Sequence, residues 1–290
     1  MTKCPLVSIV IVNWNRKDDL KECLESIRKQ TYTNIEIIVV DNHSTDGTIE
    51  MIRKEFPEVK LIVMPDSSYG ACETFNIGFA NATGEYVVIM DNDALLEKDW
   101  IEKSVKEFEN DEALGCVAGR VLNYYTKEDW GFWLYGLDDA WKDKEFYTTV
   151  FVGCSTIIRK EIINKTGGYP TDYFLYWNEA ALGAEIVNAG YKIKYVPNII
   201  AHHKVSQTQR PGKKGYYYGV RNGYWYYWKY YPSGLALKHT LIHLIKSCYG
   251  GVKHPFTFIK AHLDAIKKLP TIIKNREPIR NKKILKPLKL

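Results

Sequence analysis

Two carboxylates and an amide end one of the most apolar stretches of the chain. Asp91, Asn92 and Asp93 directly follow the run Tyr86 to Met90. Neighbouring like charges are costly at the end of a buried strand unless a positive charge neutralises them. Mg²⁺ and Mn²⁺ prefer hard oxygen ligands and can keep water or phosphate oxygens in their other positions. The spacing is compatible both with a metal site and with an acidic turn that precedes a helix.

Polar residues also follow the first two predicted strands. Asn13, Trp14 and Asn15 come after LVSIVIV, and Asp41 comes after IEIIVV. In open α/β sheets, ligands gather at the C-terminal ends of the strands, so these residues are expected to line a binding site. The first glycine is Gly47, and the glycine-rich fingerprint that would follow the first strand of a nicotinamide dehydrogenase is therefore absent.

Strand-like and helix-like patterns alternate as far as about Trp100. The β-branched runs are typical of buried strands, and Leu20, Leu24 and Ile27 recur at helical spacing after the first of them. This alternation predicts an α/β fold with a mostly parallel central sheet and helices on both faces. Farther on we predict an aromatic-rich loop (DWGFWLYGLDDAWKDKEF), a strand (TTVFVGCSTIIRK), a helix (NEAALGAEIVNAG) and a strand (YKIKYVP).

Composition limits the classes of protein that the chain can represent. The 290 residues are 46% hydrophobic, enough for a folded core. The six cysteines are scattered without a CxxC pair, so we expect neither a structural zinc site nor a disulfide framework, and a reducing cytoplasm fits best. The sequence has neither a long uncharged apolar stretch nor a signal-peptide pattern, which predicts a protein that is neither membrane-spanning nor secreted.

The C-terminal region is basic and aromatic. From Lys253 to Leu290 there are eleven Lys and Arg residues against two acids, a balance of +9 in a chain whose net charge is +6. The preceding run GYYYGVRNGYWYYWKYYP could stack on single-stranded nucleic acid, lie at a membrane interface, or simply pack as a helix. A helical stripe follows it, consistent with core packing or with shallow membrane insertion, and consists of Leu237, Leu241, Leu244 and Ile245.

Several motifs in order resemble family 2 glycosyltransferases of the GT-A (nucleotide-diphospho-sugar transferase) fold, most of all the rhamnosyltransferase-like branch. The similarity covers most of residues 5–105, including VVDN, NIGFA and MDND, and resumes at VGCSTIIRKEIINKTGGYPTDYFLYW and AGYKIKYVPNIIAHH. It implies a nucleotide-sugar-binding half (1–125), an acceptor-binding and catalytic half (126–206), and a helical, aromatic and basic C-terminal region (207–290).

The resemblance also implies roles for individual residues. Asp41 would accept a hydrogen bond from the nucleobase of a UDP, dTDP or GDP sugar, and Asp93 would bind Mg²⁺ or Mn²⁺ with help from Asp91 and His202. Arg221 would contact the diphosphate or a lipid phosphate. The other donor-site residues implied in this way are Asn13, Trp14, Asn15, Asn76, Gly78, Asp91 and Asn92.

A base is needed to take the proton of the acceptor hydroxyl as it attacks the sugar. Relatives usually carry E-D-x-D-L after the FLYW element, with the first Asp as the base, whereas this chain reads WNEAALGAEI. Glu179 takes the place of the base, Asn178 and Ala181 replace the neighbouring acids, and Glu185 stands where Arg is frequent. The Glu179 carboxylate reaches about one methylene farther, and placement errors near 1 Å cost roughly 100-fold in rate.

The sequence therefore predicts a metal-dependent, inverting glycosyltransferase that acts on a glycan or polyprenol-linked acceptor. We expect it in the cytoplasm, in peripheral contact with the anionic inner face of the cell membrane, and without nucleic acid as a partner. Two alternatives remain open at this point. One is a sugar-nucleotide-binding protein with impaired catalysis, indicated by Asn178, Glu179 and Ala181, and the other is a nucleic-acid-binding protein that uses the C-terminal region.

Overall fold

The computed structural model describes residues 4–205 and 212–279. Its strands are β1 Val7–Asn13, β2 Ile35–Asp41, β3 Lys60–Val63, β4 Tyr86–Asp91, β5 Ala94–Leu96, β6 Leu114–Asn123, β7 Phe146–Thr148, β8 Thr156–Arg159 and β9 Lys192–His203. Its α-helices are α1 Lys17–Arg28, α2 Thr48–Glu55, α3 Ala71–Asn81, α4 Trp100–Asn110, α5 Lys160–Thr166, α6 Asn178–Asn188, α7 Gly212–Tyr230, α8 Ser233–Lys253 and α9 Pro255–Lys274.

One central sheet carries the order β3-β2-β1-β4-β8-β6-β9-β5, with β7 also paired to β9. Strands β1 to β4 are mutually parallel where they pair, and β6 runs parallel to β9. Strand β8 is antiparallel to both of its neighbours, as are β5 and β7 to β9. The predicted α/β class with a mostly parallel sheet and a helical C-terminal region is confirmed.

Strand order and handedness determine where the predicted site lies. The chain moves outward from β1 through β2 to β3 and then returns to place β4 on the other side of β1. Right-handed crossovers put α1 and α2 on one face of the sheet and α3 on the other. Ligands of open α/β sheets bind where the strand order reverses, which here is between β1 and β4. The register pairs Asn13 with Asp41 and Val12 with Asp91, so three polar strand ends meet there.

The predicted strand TTVFVGCSTIIRK forms only in part. Strand β7 ends at Thr148, a short 3₁₀ turn occupies Gly153–Ser155, and β8 begins at Thr156. The irregular segment between the strands brings the backbone of Gly153 against Glu179. The β-strand pairing is therefore interrupted between Thr148 and Thr156, where the chain lines the candidate site.

The last three helices form a layer in which α7 contacts both α8 and α9. Most of the large aromatic side chains of α7 are buried, which agrees with the helix-packing interpretation and leaves those rings unavailable for stacking on bases or lipid. They are Tyr224, Trp225, Tyr226, Tyr227 and Tyr230. Within the described residues, no helix combines the length and the apolar character needed to cross a bilayer. The basic residues beyond Ile279 lie outside the described part of the chain.

Candidate active site

A chain of hydrogen bonds joins the ends of β2, β1 and β4. Asn13 on β1 donates through Nδ2 to Oδ2 of Asp41 at 2.9 Å and accepts through Oδ1 from Nδ2 of Asn92 at 2.6 Å. Because β2 and β4 flank β1 in the sheet, the side chain of Asn13 reaches a polar group beyond the end of each neighbouring strand. The loop that carries the acidic motif is thereby held in register with the loop after β2.

Asp41 is fully buried and already accepts three hydrogen bonds. Its Oδ1 accepts from the backbone N–H of Ser44 at 2.7 Å, and its Oδ2 accepts from Ser44 Oγ at 2.7 Å as well as from Asn13. The carboxylate therefore fixes the turn after β2, and contact with a nucleobase stays a prediction. Ser44 was missed at the level of sequence, although Asp followed three residues later by Ser is typical of a turn closed by the Asp side chain.

The loop after β1 lies against the same turn. The backbone N–H of Asn15 donates to Ser44 Oγ at 2.8 Å, and Asn15 Oδ1 accepts from the Thr45 N–H at 2.7 Å. Asn15 has a φ of 49°, a left-handed conformation that Asn tolerates better than most residues. Trp14 remains 46% exposed, so its ring is free to stack on a planar ligand. A cleft of about 520 Å³ opens beside this loop, lined by Asn15, Arg16, Lys17, Asp18, Asp19 and Asp46.

Asp91 and Asp93 meet a histidine at the end of β9. His203 Nε2 lies 2.9 Å from Asp93 Oδ1 and 3.8 Å from Asp91 Oδ2. Arg16 Nη1 adds a positive charge 3.9 Å from Asp93 Oδ2. Desolvation, reinforced by the charge of Asp93, raises the pKa of Asp91 to about 6 even though His203 and Arg16 oppose the shift. Burial alone would lower the pKa of His203, but the hydrogen bond to Asp93 and the charges of both acids raise it.

His203, rather than the predicted His202, lies beside the acids. Strand β5 follows the acidic motif and pairs Ala94 with His203, which places His203 next to Asp93. His202 points to the opposite face of β9, where its Nε2 is 3.4 Å from Glu97 Oε1. The structure thus favours His203 over the predicted His202 as the histidine of a metal site with Asp91 and Asp93.

The donor set fits a divalent cation. Ligand atoms of Asp91, His203 and Cys154 lie within 4.8 Å of one another, and Asp93 contacts the same histidine. Carboxylates and a neutral imidazole suit Mn²⁺, and carboxylates with water suit Mg²⁺. Cys154 is fully buried and burial raises the pKa of its thiol well above the usual range, which disfavours the thiolate that metals bind.

Glu179 lies in the first turn of α6 and approaches the backbone of the turn before β8. A Cβ atom added to Gly153 would lie 2.8 Å from Glu179 Oε1, so a larger residue at position 153 would displace the Glu179 carboxylate. Desolvation, with a further contribution from the charge of Asp91, raises the pKa of Glu179 to about 7. A carboxylate with a pKa near neutrality is well suited to accept a proton. Glu179 lies against Gly153, and the next residue, Cys154, has its Sγ within 4.8 Å of ligand atoms of Asp91 and His203, so Glu179 and Asp91 lie in the same region.

The segment before Glu179 has an unusual backbone. Phe174, Tyr176 and Trp177 all have φ values between 63° and 65°, the left-handed region that non-glycine residues rarely adopt. Helix α7 holds this segment through Asn222, which is fully buried. Its Nδ2 donates to the carbonyls of Tyr173, Leu175 and Tyr176 at 2.9, 2.8 and 3.1 Å.

Arg221 and Trp177 strengthen the same contact between α7 and the segment. Arg221 Nη2 donates to the carbonyl of Asp172 at 2.6 Å, and its guanidinium lies 4.2 Å from the ring centroid of Trp225. Trp177 Nε1 donates to the carbonyl of Gly219 at 2.9 Å. Arg221 is thus occupied in positioning the segment, which argues against the predicted contact with a diphosphate.

Two more predicted donor-site residues have structural roles. Asn76 donates through Nδ2 to the carbonyl of Tyr169 at 2.7 Å and accepts from the N–H of the same residue at 2.8 Å. A Cβ atom on Gly78 would lie 2.3 Å from Val10 Cγ1, so Gly78 allows α3 to pack closely on β1. Asn76 and Gly78 therefore have roles in packing, and their contact with the nucleotide stays a prediction.

Comparisons with known proteins agree with this architecture. The family described as Glycosyl transferase family 2 matches residues 8–167. A protein of Haemophilus influenzae, described as an uncharacterized glycosyltransferase, is 29% identical to this chain over 201 residues. The matched region covers 62% of this chain and 62% of the length of that relative.

Two solved structures share the fold. The mannosyltransferase PcManGT from Pyrobaculum calidifontis, in complex with GDP-Man and Mn²⁺, matches 94% of this chain and 84% of its own, with a TM-score of 0.64 and 22% identity. S. aureus TarS 1–349, in complex with UDP-GlcNAc, matches 93% of this chain and 83% of its own, with a TM-score of 0.66 and 16% identity. These likenesses confirm the GT-A fold.

Proposed function

This chain belongs to glycosyl transferase family 2, and from that premise we propose that it is an inverting enzyme that moves a sugar from a nucleotide-sugar donor to an acceptor hydroxyl. The acceptor is a glycan or a polyprenol-linked sugar. The proposed donor is a UDP, GDP or dTDP sugar. Two solved structures of the same fold hold GDP-Man and UDP-GlcNAc, which supports the first two of these classes.

The proposed donor site lies at the C-terminal ends of β1, β2 and β4. Trp14 would stack on the nucleobase, and the turn fixed by Asp41 and Asn13 would surround the nucleoside. Asp91, Asp93 and His203 would hold Mg²⁺ or Mn²⁺, which supplies positive charge against the diphosphate leaving group. Arg16, 3.9 Å from Asp93, brings a permanent cation to the same place.

The proposed base is Glu179. Its carboxylate takes the proton of the acceptor hydroxyl while the acceptor oxygen forms a bond to the anomeric carbon. The bond between that carbon and the diphosphate oxygen breaks on the opposite face, and the nucleoside diphosphate leaves with the bonding electrons. The single observation that carries this proposal is the position of Glu179: it lies against Gly153, and the next residue, Cys154, has its Sγ within 4.8 Å of ligand atoms of Asp91 and His203.

Calorimetric titration with UDP, GDP and dTDP, each with and without Mn²⁺, tests the donor site in the wild type and in Asp93→Ala. We expect one nucleotide to bind in a metal-dependent way and the variant to lose that binding. If no nucleotide binds the wild type under either condition, the proposal fails. Asn178 and Ala181 replace acids of related enzymes, so donor binding without any transfer that depends on Glu179 would indicate the catalytically impaired alternative.

We further propose that the enzyme works in a reducing compartment at the inner face of the cell membrane. All six cysteines are free, and four of them are buried, which is typical of proteins from reducing compartments. The membrane part of this proposal depends on the surface of the C-terminal helices.

A further inference from the structure

Helix α8 has the reverse of the usual distribution of side chains on a surface helix, in which apolar residues are buried and polar residues are exposed. Its buried positions are small or polar, whereas its large apolar side chains are exposed, with Tyr249 at 80% and Val252 at 85%. The buried residues are Ala236, His239, His243, Ser247 and Gly251. The exposed ones are Leu237, Leu241, Leu244, Ile245, Tyr249 and Val252.

Helix α9 repeats this arrangement. It is buried through Ala261 and Ala265, which pack with α7. Its exposed apolar residues recur at helical spacing and are Phe256, Ile259, Leu263, Ile266 and Ile273. Among the described residues, 18 large hydrophobic side chains are exposed, and 11 of them belong to α8 and α9. Scattered exposed apolar residues need no explanation, but such a concentration marks an interaction surface.

The buried side of α8 is already satisfied by α7, so the exposed side is not a mispacked core. His243 Nε2 lies 2.9 Å from the carbonyl of Val220, and the ring of His239 stacks on Tyr227 with centroids 5.1 Å apart. Rotating α8 to bury its apolar residues would break these contacts. The exposed apolar side therefore requires a partner other than α7.

Charge identifies the kind of partner. Helices α8 and α9 carry seven lysines and one acid, a balance of +6; of these lysines, Lys268 pairs with Asp172 and Lys260 with Asp264. Lys260, Lys267 and Lys274 recur every seven residues along one edge of the apolar stripe of α9. A second copy of this chain would set two such surfaces against each other with like charges, whereas the surface of an anionic bilayer attracts lysines and accepts apolar side chains.

We propose that this surface, here called the α8–α9 face and made of the exposed apolar residues and lysines of the two helices, inserts shallowly into an anionic lipid bilayer. The aromatic helix α7, which the sequence suggested for that task, lies behind it. The ring of His243 on α8 is 5.9 Å from that of Trp177, two residues before Glu179. Docking therefore sets the base-bearing segment near the membrane, which rests on the proposed function and suits a lipid-linked acceptor.

Vesicle flotation of the whole chain tests the proposal. We expect the wild type to float with vesicles that contain phosphatidylglycerol, to float less in high salt, and to bind pure phosphatidylcholine weakly. Leu241→Ser combined with Ile245→Ser should weaken binding by roughly tenfold or more, because two apolar side chains no longer enter the bilayer. Lys253→Glu with Lys267→Glu should reduce the preference for anionic lipid, although the region from residue 253 to 290 keeps a positive balance.

The matched control variants substitute side chains that are exposed but lie outside helices α8 and α9. Tyr125→Ser with Trp133→Ser removes two exposed aromatic side chains elsewhere, and Lys54→Glu with Lys98→Glu reverses two charges on the donor half. Both should float like the wild type. If the Leu241/Ile245 variant floats as well as the wild type, or the wild type does not float, the proposal is overturned. It is equally overturned if that variant changes only the oligomeric state in light scattering, since the face would then bind a second copy.

Nucleotide titration of the same proteins separates this inference from the proposed function. If the wild type floats with vesicles but binds no nucleotide, the membrane proposal for the α8–α9 face stands and the proposed enzymatic function fails. A wild type that binds nucleotide but no vesicle would do the reverse. The variants of the α8–α9 face are expected to keep wild-type nucleotide affinity, because these side chains are exposed and none of them belongs to the strand-end loops.

Discussion

The proposed donor side (the ends of β1, β2 and β4) and the proposed base side (Glu179 and the segment before it) are held in place by different means. On the donor side, three parallel strands set the spacing, and Asn13 joins their ends to Asp41 and Asn92. On the base side, Glu179 follows a segment with three left-handed non-glycine residues, and that segment is held by a helix from the C-terminal region. A sheet edge is rigid because many backbone bonds support it, whereas a strained segment persists only while its surroundings over-determine it.

This difference predicts which substitutions should affect nucleotide binding and which should affect the rate of sugar transfer. Changes on the donor side should weaken the affinity for metal and nucleotide. Changes on the base side, including changes in α7 that touch no substrate, should lower kcat and spare nucleotide affinity. The four predictions that follow test this division, in order of decreasing effect.

Glu179→Gln should lower kcat by about 10²–10⁴-fold, since the amide cannot accept the proton of the acceptor hydroxyl. Nucleotide affinity should stay at the wild-type value in calorimetry. Because the surroundings of Glu179 disfavour its charged form, the free energy of unfolding at pH 8 should be unchanged or higher in the variant. Transfer at the wild-type rate would remove Glu179 from the mechanism.

His203→Gln should weaken Mn²⁺-dependent nucleotide binding by about 100-fold, because a nitrogen ligand beside Asp93 is lost. His202→Gln, one residue away on the opposite face of β9, is the matched control and should change affinity by less than about twofold. Calorimetry in the presence of Mn²⁺ measures both. Equal losses in the two variants would contradict the assignment of His203.

Asn222→Ala should lower kcat by roughly 30-fold, because three carbonyls lose their donor and the segment before Glu179 relaxes. It should also destabilise the protein by about 1–3 kcal/mol, as buried carbonyls are left without partners. Asn81→Ala, which removes a single local bond to the carbonyl of Ile77, is the control. A purely structural role would leave kcat of the folded fraction and its pH profile unchanged.

The pH profile of kcat/KM should rise by about tenfold per pH unit up to a pKa near 7. The sign follows from the role of Glu179: the base must be ionised, its pKa is raised to about 7, and activity is therefore lost as the pH falls through that value. Asn222→Ala should shift this loss of activity toward lower pH, since a relaxed segment exposes Glu179 to water and lowers its pKa. A limb that persists in Glu179→Gln would belong to another group.

Much of the fold and of the donor side could be predicted from the sequence. Buried strands and amphipathic helices leave local periodicities of two and 3.6 residues, and parallel strands bring polar strand ends together wherever they pair. The positions of Asp91, Asp93, Asp41 and Asn13 at the strand ends were predicted in this way, and the family motifs singled out Glu179; the roles of these residues stay predictions. These features depend on residues close together in the chain.

The choice between the two histidines could not be read from the sequence. The residues before them, NIIAHH, show no alternation of polar and apolar character, and the pairing of β9 with β6 shifts between Val196 and Ile200. A shift of this kind breaks the count of residues that would assign a side chain to a face. Only the pairing of Ala94 with His203 decides which ring meets Asp93.

The sequence by itself determined the order of elements, the acidic strand end and the family. Tertiary structure alone decided that Asn76, Gly78 and Arg221 serve packing and positioning, that the aromatic side of α7 is buried, and that the apolar side of α8 faces outward. The physical reason is that a periodic pattern shows that a helix has two sides but does not show what covers either one. Which surface is covered depends on partners that are distant in the chain, and those meet only in the folded protein.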